Sequence, residues 1–129
     1  MTGLHPSLLK IEAMEYEHLS YSNRAEVEVM LRSENEELIS KALVGIVFGS
    51  IDRIWVRDTL MAHVNHPDFW VANNAIVGLE ELVLFNPSID IEPIVECLKT
   101  VKADKHLSQA KSTIKGIREL WRRRNRRQP

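Results

Sequence analysis

Val71-Ala72-Asn73-Asn74-Ala75-Ile76-Val77-Gly78-Leu79-Glu80-Glu81-Leu82-Val83 is the stretch that decides the fold. Val71, Ala72, Ala75, Leu79, Leu82 and Val83 recur at intervals of three and four, which brings them to one broad face of a helix. Trp70, Asn73, Asn74, Val77, Glu80, Glu81 and Leu84 fall on the opposite arc. Shifting this region by 38 residues lays Ala72 on Ala110, Ile76 on Ile114, Gly78 on Gly116, Leu79 on Ile117, Glu81 on Glu119 and Leu82 on Leu120. The same shift lays Asp52 on Asp90, Val56 on Ile94 and Leu60 on Leu98. A degenerate earlier copy reads Ala42-Leu43-Val44-Gly45-Ile46. Glycine inside a helix costs about 1 kcal/mol relative to alanine, so three such placements imply a shared packing need. Close approach of helices in adjacent layers would supply it.

Helical periodicity extends over the rest of the chain. Leu38, Ala42, Leu43, Ile46 and Val47 carry it, then Val56, Leu60 and Val64, then Ile94, Val95, Leu98 and Val101, then Leu107, Ala110, Ile114, Ile117 and Trp121. No segment alternates with period two, and no Asn-Gly or Asp-Gly hairpin signal occurs. Ser33 with Glu36 fits a capping box, Asp52 and Asp90 fit N-caps, and Pro67 fits the first turn of a helix. Asn86-Pro87-Ser88 should end one helix and launch the next. The expectation is an all-α fold, a short right-handed stack of three antiparallel helix pairs: 24–32 with 35–48, 52–65 with 68–86, and 90–102 with 106–122. One pair cannot bury its apolar face alone, whereas three stacked pairs form a continuous core. Residues 1–22 are expected to form a capping segment through Leu8, Leu9 and Met14, residues 23–121 the repeat domain, and residues 122–129 a frayed basic tail.

Composition fits one globular domain: 129 residues, 44% hydrophobic and 27% charged. The single cysteine, Cys97, allows no internal disulfide. No signal-peptide pattern and no apolar run of about 20 residues is visible, so a cytoplasmic protein without membrane association is expected. Net charge is −1, but its distribution is uneven. Residues 1–57 carry 9 acidic and 6 basic side chains, residues 58–98 carry 7 acidic and no Lys or Arg, and residues 99–129 carry 11 basic and 2 acidic. Such asymmetry creates a field that selects and steers partners.

Asp52-Arg53-Ile54-Trp55-Val56-Arg57, followed by His66-Pro67-Asp68-Phe69-Trp70-Val71-Ala72, resembles the helix starts of HEAT-like repeats. Ala72 stands where such repeats usually carry an arginine, so that interaction is missing from this copy. From Ile39 to Leu120 the chain resembles a group of short bacterial HEAT-like proteins. Their pattern has a Trp-Val start, a His-Pro-Asp turn, an Ala-x-x-Gly-Leu helix and a loop like Asn86-Pro87-Ser88-Ile89-Asp90. Such proteins are often encoded beside polymorphic or contact-dependent growth inhibition toxins. The resemblance therefore implies a HEAT/armadillo-like α-solenoid and an immunity role, with a cognate protein toxin as partner.

The residues themselves point away from catalysis. There is no Gly-x-Gly-x-x-Gly, no phosphate-binding Gly-Lys-Ser/Thr loop and no Gly-x-Ser-x-Gly elbow. Cys97 reads as a small core residue. His63, His66 and Asp68 could share a metal, but His66-Pro67 marks a turn and no further ligand pattern appears. No cofactor is implied. Adjacent Glu80 and Glu81 diverge by about 100° on a helix, which suits a solvated acidic face better than a catalytic pair. The candidate partner-binding set is Asp58, Asp68, Trp70, Asn73, Asn74, Glu80 and Glu81, an aromatic anchor among hydrogen-bonding groups. For Trp70, Val77 and Leu84, packing on a neighbouring layer is an equal alternative. In a HEAT-like stack the second helices line the concave surface, which here would run from Glu80 and Glu81 to Lys111, Lys115 and Arg118. An acidic surface of that kind suits a basic toxin, such as one that cuts nucleic acid, with the free protein a monomer. The rival readings are a HEAT-like adaptor, and RNA binding through Arg122-Arg123-Arg124-Asn125-Arg126-Arg127. The second is disfavoured by the acidic middle of the chain, and a solubilising or self-clasping tail is the simpler account.

Overall fold

A computed structural model describes residues 20–126, which form six helices and no strand. They are α1 (Arg24–Arg32), α2 (Glu36–Val47), α3 (Arg53–Met61), α4 (Phe69–Phe85), α5 (Glu92–Leu98) and α6 (Asp104–Asn125). The expected capping segment lies, apart from residues 20–22, outside the described residues, as do residues 127–129 of the tail.

Short polar side chains start the helices. Asn23, Asp52 and Asp68 accept hydrogen bonds from backbone amides in the first turns of α1, α3 and α4. Three expected starts are corrected. Asn35, not Ser33, caps α2, accepting from the Glu37 and Leu38 amides, while Ser33 closes α1 by bonding back to the Met30 carbonyl. Pro67 precedes the cap of α4 instead of entering its first turn. Asp90 accepts from the Glu92 amide at 3.1 Å, but the cap residue itself is Ile91.

Two helices stop earlier than periodicity suggests. After Met61 and after Leu98 the chain tightens into turns, with His63 N–H reaching the Leu60 carbonyl and Val101 N–H the Leu98 carbonyl. Val64 and Val101 are nonetheless buried, so their apolar period reports burial and not helix. At the other end α6 runs to Asn125, where a frayed tail is expected from the sequence.

The core is continuous. Leu43, Ile46, Val56, Leu60, Ala75, Ile76, Leu79, Leu82, Ile94 and Ile117 have no exposed surface. α4 is the centre, packing against α2, α3 and α6; α5 packs against α3 and α6, and α1 against α2.

The repeated glycines are expected to admit a neighbouring helix, and at Gly45 a neighbouring backbone does approach, with Tyr21 N–H donating to its carbonyl at 2.9 Å. A side chain fills each space: Tyr21 lies over Gly45, Leu60 and Val47 over Gly78, and the Glu80 carboxylate over Gly116. A Cβ at Gly116 would lie 2.9 Å from the Glu80 carboxylate.

Two arginines close helix ends. The last carbonyls of a helix have no partner within it. The Arg53 guanidinium donates to the carbonyls of Val47 at 2.9 Å, Gly49 at 2.7 Å and Ile51 at 2.6 Å, just beyond and at the end of α2. Desolvation there lowers its pKa, against the opposing charge of Asp52. Arg124 does the same for α4, donating to the Val83 and Leu84 carbonyls at 2.8 Å each.

Candidate protein-binding groove

An open groove of about 590 Å3 runs between α4 and α6. Val77, Glu80, Glu81 and Leu84 form the α4 wall, and Gln109, Ser112, Gly116, Glu119, Leu120 and Arg123 the α6 wall. The α4 residues come from the arc opposite the buried face, and that face is buried as expected: Val71, Ala72, Ala75, Leu79, Leu82 and Val83 are at most 1% exposed.

Glu80 is the pivot of the groove. Its carboxylate lies near Thr113, a fully buried side chain whose hydroxyl accepts from Gln109 Nε2 at 3.1 Å. Gly116 makes room for it, because any side chain there would displace the carboxylate. Both carboxylates are half-buried, which corrects the solvated acidic face expected from their divergence on the helix. Desolvation raises the pKa of Glu80, partly offset by the Thr113 hydrogen bond. Desolvation also raises that of Glu81, and the charge of Glu80 raises it further.

Among the described residues no Lys, Arg or His lies within ion-pairing distance of Glu80 or Glu81. The basic residue of the groove, Arg123, pairs instead with Glu119 at 3.3 Å, and Arg122 reaches the same carboxylate at 3.4 Å.

The predicted binding set divides. Trp70, Asn73 and Asn74 continue the α4 stripe toward its N-terminus, two turns or less from Val77. Trp70 is 63% exposed and meets Phe69 edge to face, so it does not pack on a neighbouring layer. Asn73 and Asn74 are half-buried, and neither amide finds a partner among the described residues. Asp58 and Asp68 lie elsewhere. Asp58 pairs with Arg57 at 2.9 Å on α3, and Asp68 is occupied in capping α4.

Lys111, Lys115 and Arg118 are exposed but do not line this groove. Adjacent helices present opposite flanks to the space between them, so the α6 wall is rotated by about 100° from where the repeat register puts it. Sequence reasoning missed Thr113, Gln109 and Gly116 as parts of the site. The repeated glycine was the available signal for the last of these.

The chain matches no protein-family model, no curated protein and no solved structure.

His63 Nδ1 donates to the Thr59 carbonyl at 2.7 Å, and His66 Nδ1 accepts the Asp68 amide at 3.0 Å. Among the described residues no three His, Cys, Asp or Glu side chains come together as a metal site. Burial pushes the Cys97 thiol up from its ordinary value, away from the reactive thiolate. No described helix is long and apolar enough to cross a membrane.

Proposed function

We propose that this chain is a non-catalytic protein-binding module that works as an immunity protein, neutralising a cognate bacterial toxin by occupying a basic site on it. One observation carries the reading: Glu80 and Glu81 are half-buried in a groove, and no Lys, Arg or His among the described residues pairs with them. An unpaired, partly desolvated carboxylate is held at a cost that a lysine or arginine from a partner removes. Val77, Leu84 and Leu120 offer apolar surface for the stem of such a side chain, and Trp70 and the two free amides extend the same stripe. Steering by the acidic middle of the chain would speed the encounter.

The finer fold reading goes with it. α2, α4 and α6 side by side, with α3 beside α5, support a short right-handed stack of three antiparallel pairs of the HEAT-like kind. The arginine tail has structural employment, since Arg122 and Arg123 hold Glu119 and Arg124 closes α4. That argues against RNA binding as its purpose.

The test is a pull-down of the tagged chain from its native host at moderate salt, with mass spectrometry of what is retained. One near-stoichiometric basic polypeptide, toxic alone and harmless with this chain, is the expected result. Recovery of RNA, or of many weak partners, would contradict the immunity reading.

A further inference from the structure

The last helix pair leaves a face open that the preceding pair buries. On α4, Phe69, Ile76, Glu80 and Val83 share one side of the helix by their spacing, and at its start Phe69 stacks on His106 of α6 at 4.9 Å between ring centres. Under the 38-residue shift these positions become Leu107, Ile114, Arg118 and Trp121. Ile76 and Val83 are at most 1% exposed, whereas their equivalents Ile114 and Trp121 are half-buried and 50% exposed; Phe69, at 39%, is already more open than its equivalent Leu107. Leu107, Ile114 and Trp121 are spaced by seven residues, a seam about 21 Å long on one side of a helix. Beside them an apolar groove of about 300 Å3 opens between α5 and α6, floored by Leu98, Val101 and Ala110.

We infer that this face seats an amphipathic helix of another protein whose flanks are acidic. The repeat states the shape of the occupant, because the equivalent face of the preceding pair is covered by helices. Charge states its chemistry. Where the preceding pair has Met61, Val64 and Asn73, this pair has Lys99, Lys102 and Lys111, and Arg118 takes the place of Glu80. Lys102 and Lys111 are exposed on the groove rim, and Lys99 is there too, 3.5 Å from Glu96. A second copy meeting this face with its own equivalent would set lysine against lysine. The first pair of a second copy carries Arg32 and Lys41 among its glutamates, so it matches the basic rim less well than an acidic helix. This surface is separate from the groove between α4 and α6, and its partner need not be the toxin.

The probe is a designed helical peptide of about 20 residues, with a leucine seam at heptad spacing and glutamate flanks, together with its lysine-flanked counterpart. Each is titrated into the 15N-labelled full chain. The glutamate peptide is expected to shift the amides of Leu107, Lys111 and Ile114 and the indole N–H of Trp121, binding at least about tenfold more tightly than the lysine peptide. Ile114→Glu should lose that binding while its amide spectrum stays dispersed. Lys111→Glu with Arg118→Glu, which leaves the apolar seam intact, should reverse the preference between the peptides. Three results would each overturn the inference: no shift at about 1 mM peptide, equal response to both peptides, or shifts at these residues caused by protein concentration alone.

Discussion

α4 and α6 are written in the same apolar grammar, yet one is enclosed and the other is half open. Ile76 is fully buried and its equivalent Ile114 is not; Val83 is buried and its equivalent Trp121 is half exposed. Gly78 admits the hydrocarbon of Leu60 and Val47, whereas Gly116 admits a carboxylate. The residue pattern sets which face of each helix is apolar, but neighbours decide how much of that face is removed from water. The charged positions follow position in the chain: α4 has no basic residue and makes the acidic wall of the groove, while α6 ends in a run of arginines that hold Glu119 and the last carbonyls of α4.

Truncating equivalent positions on the two helices should have unequal costs. Ile76→Ala should cost about 2–5 kcal/mol, as a methylene loss with a residual cavity does in a core. Ile114→Ala should cost about 1 kcal/mol or less, since water already reaches that side chain. Urea unfolding of both variants decides it, and equal losses would mean that α6 is as enclosed as α4.

Arginine clasps at the helix ends give a second, smaller contrast. Arg53→Ala strands several carbonyls around the end of α2 and should cost about 2 kcal/mol. Arg124→Ala strands the Leu84 carbonyl, since the Asn86 amide still reaches that of Val83, and should cost about 1 kcal/mol. Thermal unfolding at fixed pH reads both, and a reversed order would break the link between carbonyls held and stability.

His106, at the start of α6, is 3% exposed, and neither ring nitrogen has a partner among the described residues. Burial, and then the neighbouring Lys105 charge, lower its pKa from 6.5. The folded chain therefore binds this proton less readily than the unfolded chain, and stability falls as pH drops through 6.5 toward the lowered value. His106→Phe keeps the stack on Phe69 and should add about 1 kcal/mol. It should also remove that part of the acid sensitivity, which urea midpoints across pH 5 to 7.5 would show.

The smallest expected effect has the opposite sign. Glu80 and Glu81 titrate above the ordinary value of 4.5 in the fold, so the folded chain holds their protons more readily than the unfolded one. Their contribution to stability grows as pH falls through the raised values toward 4.5. Glu80→Gln with Glu81→Gln should flatten that rise, and an unchanged pH profile would show that the two carboxylates are as solvated as any on the surface.

Much of the fold was legible because apolar spacing and caps are local. The buried face of α4 and the cap at Asp52 follow from neighbouring residues alone, whereas Asp68 takes the cap where Pro67 is expected inside the first turn. The ends at Met61 and Leu98 did not, because Val64 and Val101 keep a helical period while lying in turns that the core happens to cover. The site was half legible. Trp70, Asn73, Asn74, Glu80 and Glu81 share one helix, so spacing groups them; Thr113, Gln109 and Gly116 come from a helix whose rotation against α4 no local pattern encodes. Asp58 and Asp68 joined the predicted set through charge alone, and local partners occupy them instead.

We propose that the uncompensated carboxylates of the α4–α6 groove, and not acidity in general, take the basic partner. Once that partner is recovered, its dissociation constant should be compared for the wild type, Glu80→Gln with Glu81→Gln, and Asp58→Asn, each checked for folding. The groove variant is expected to bind at least about tenfold more weakly, with Asp58→Asn close to wild type. Equal affinity for all three, or an Asp58→Asn loss as large as that of the groove variant, would contradict the account.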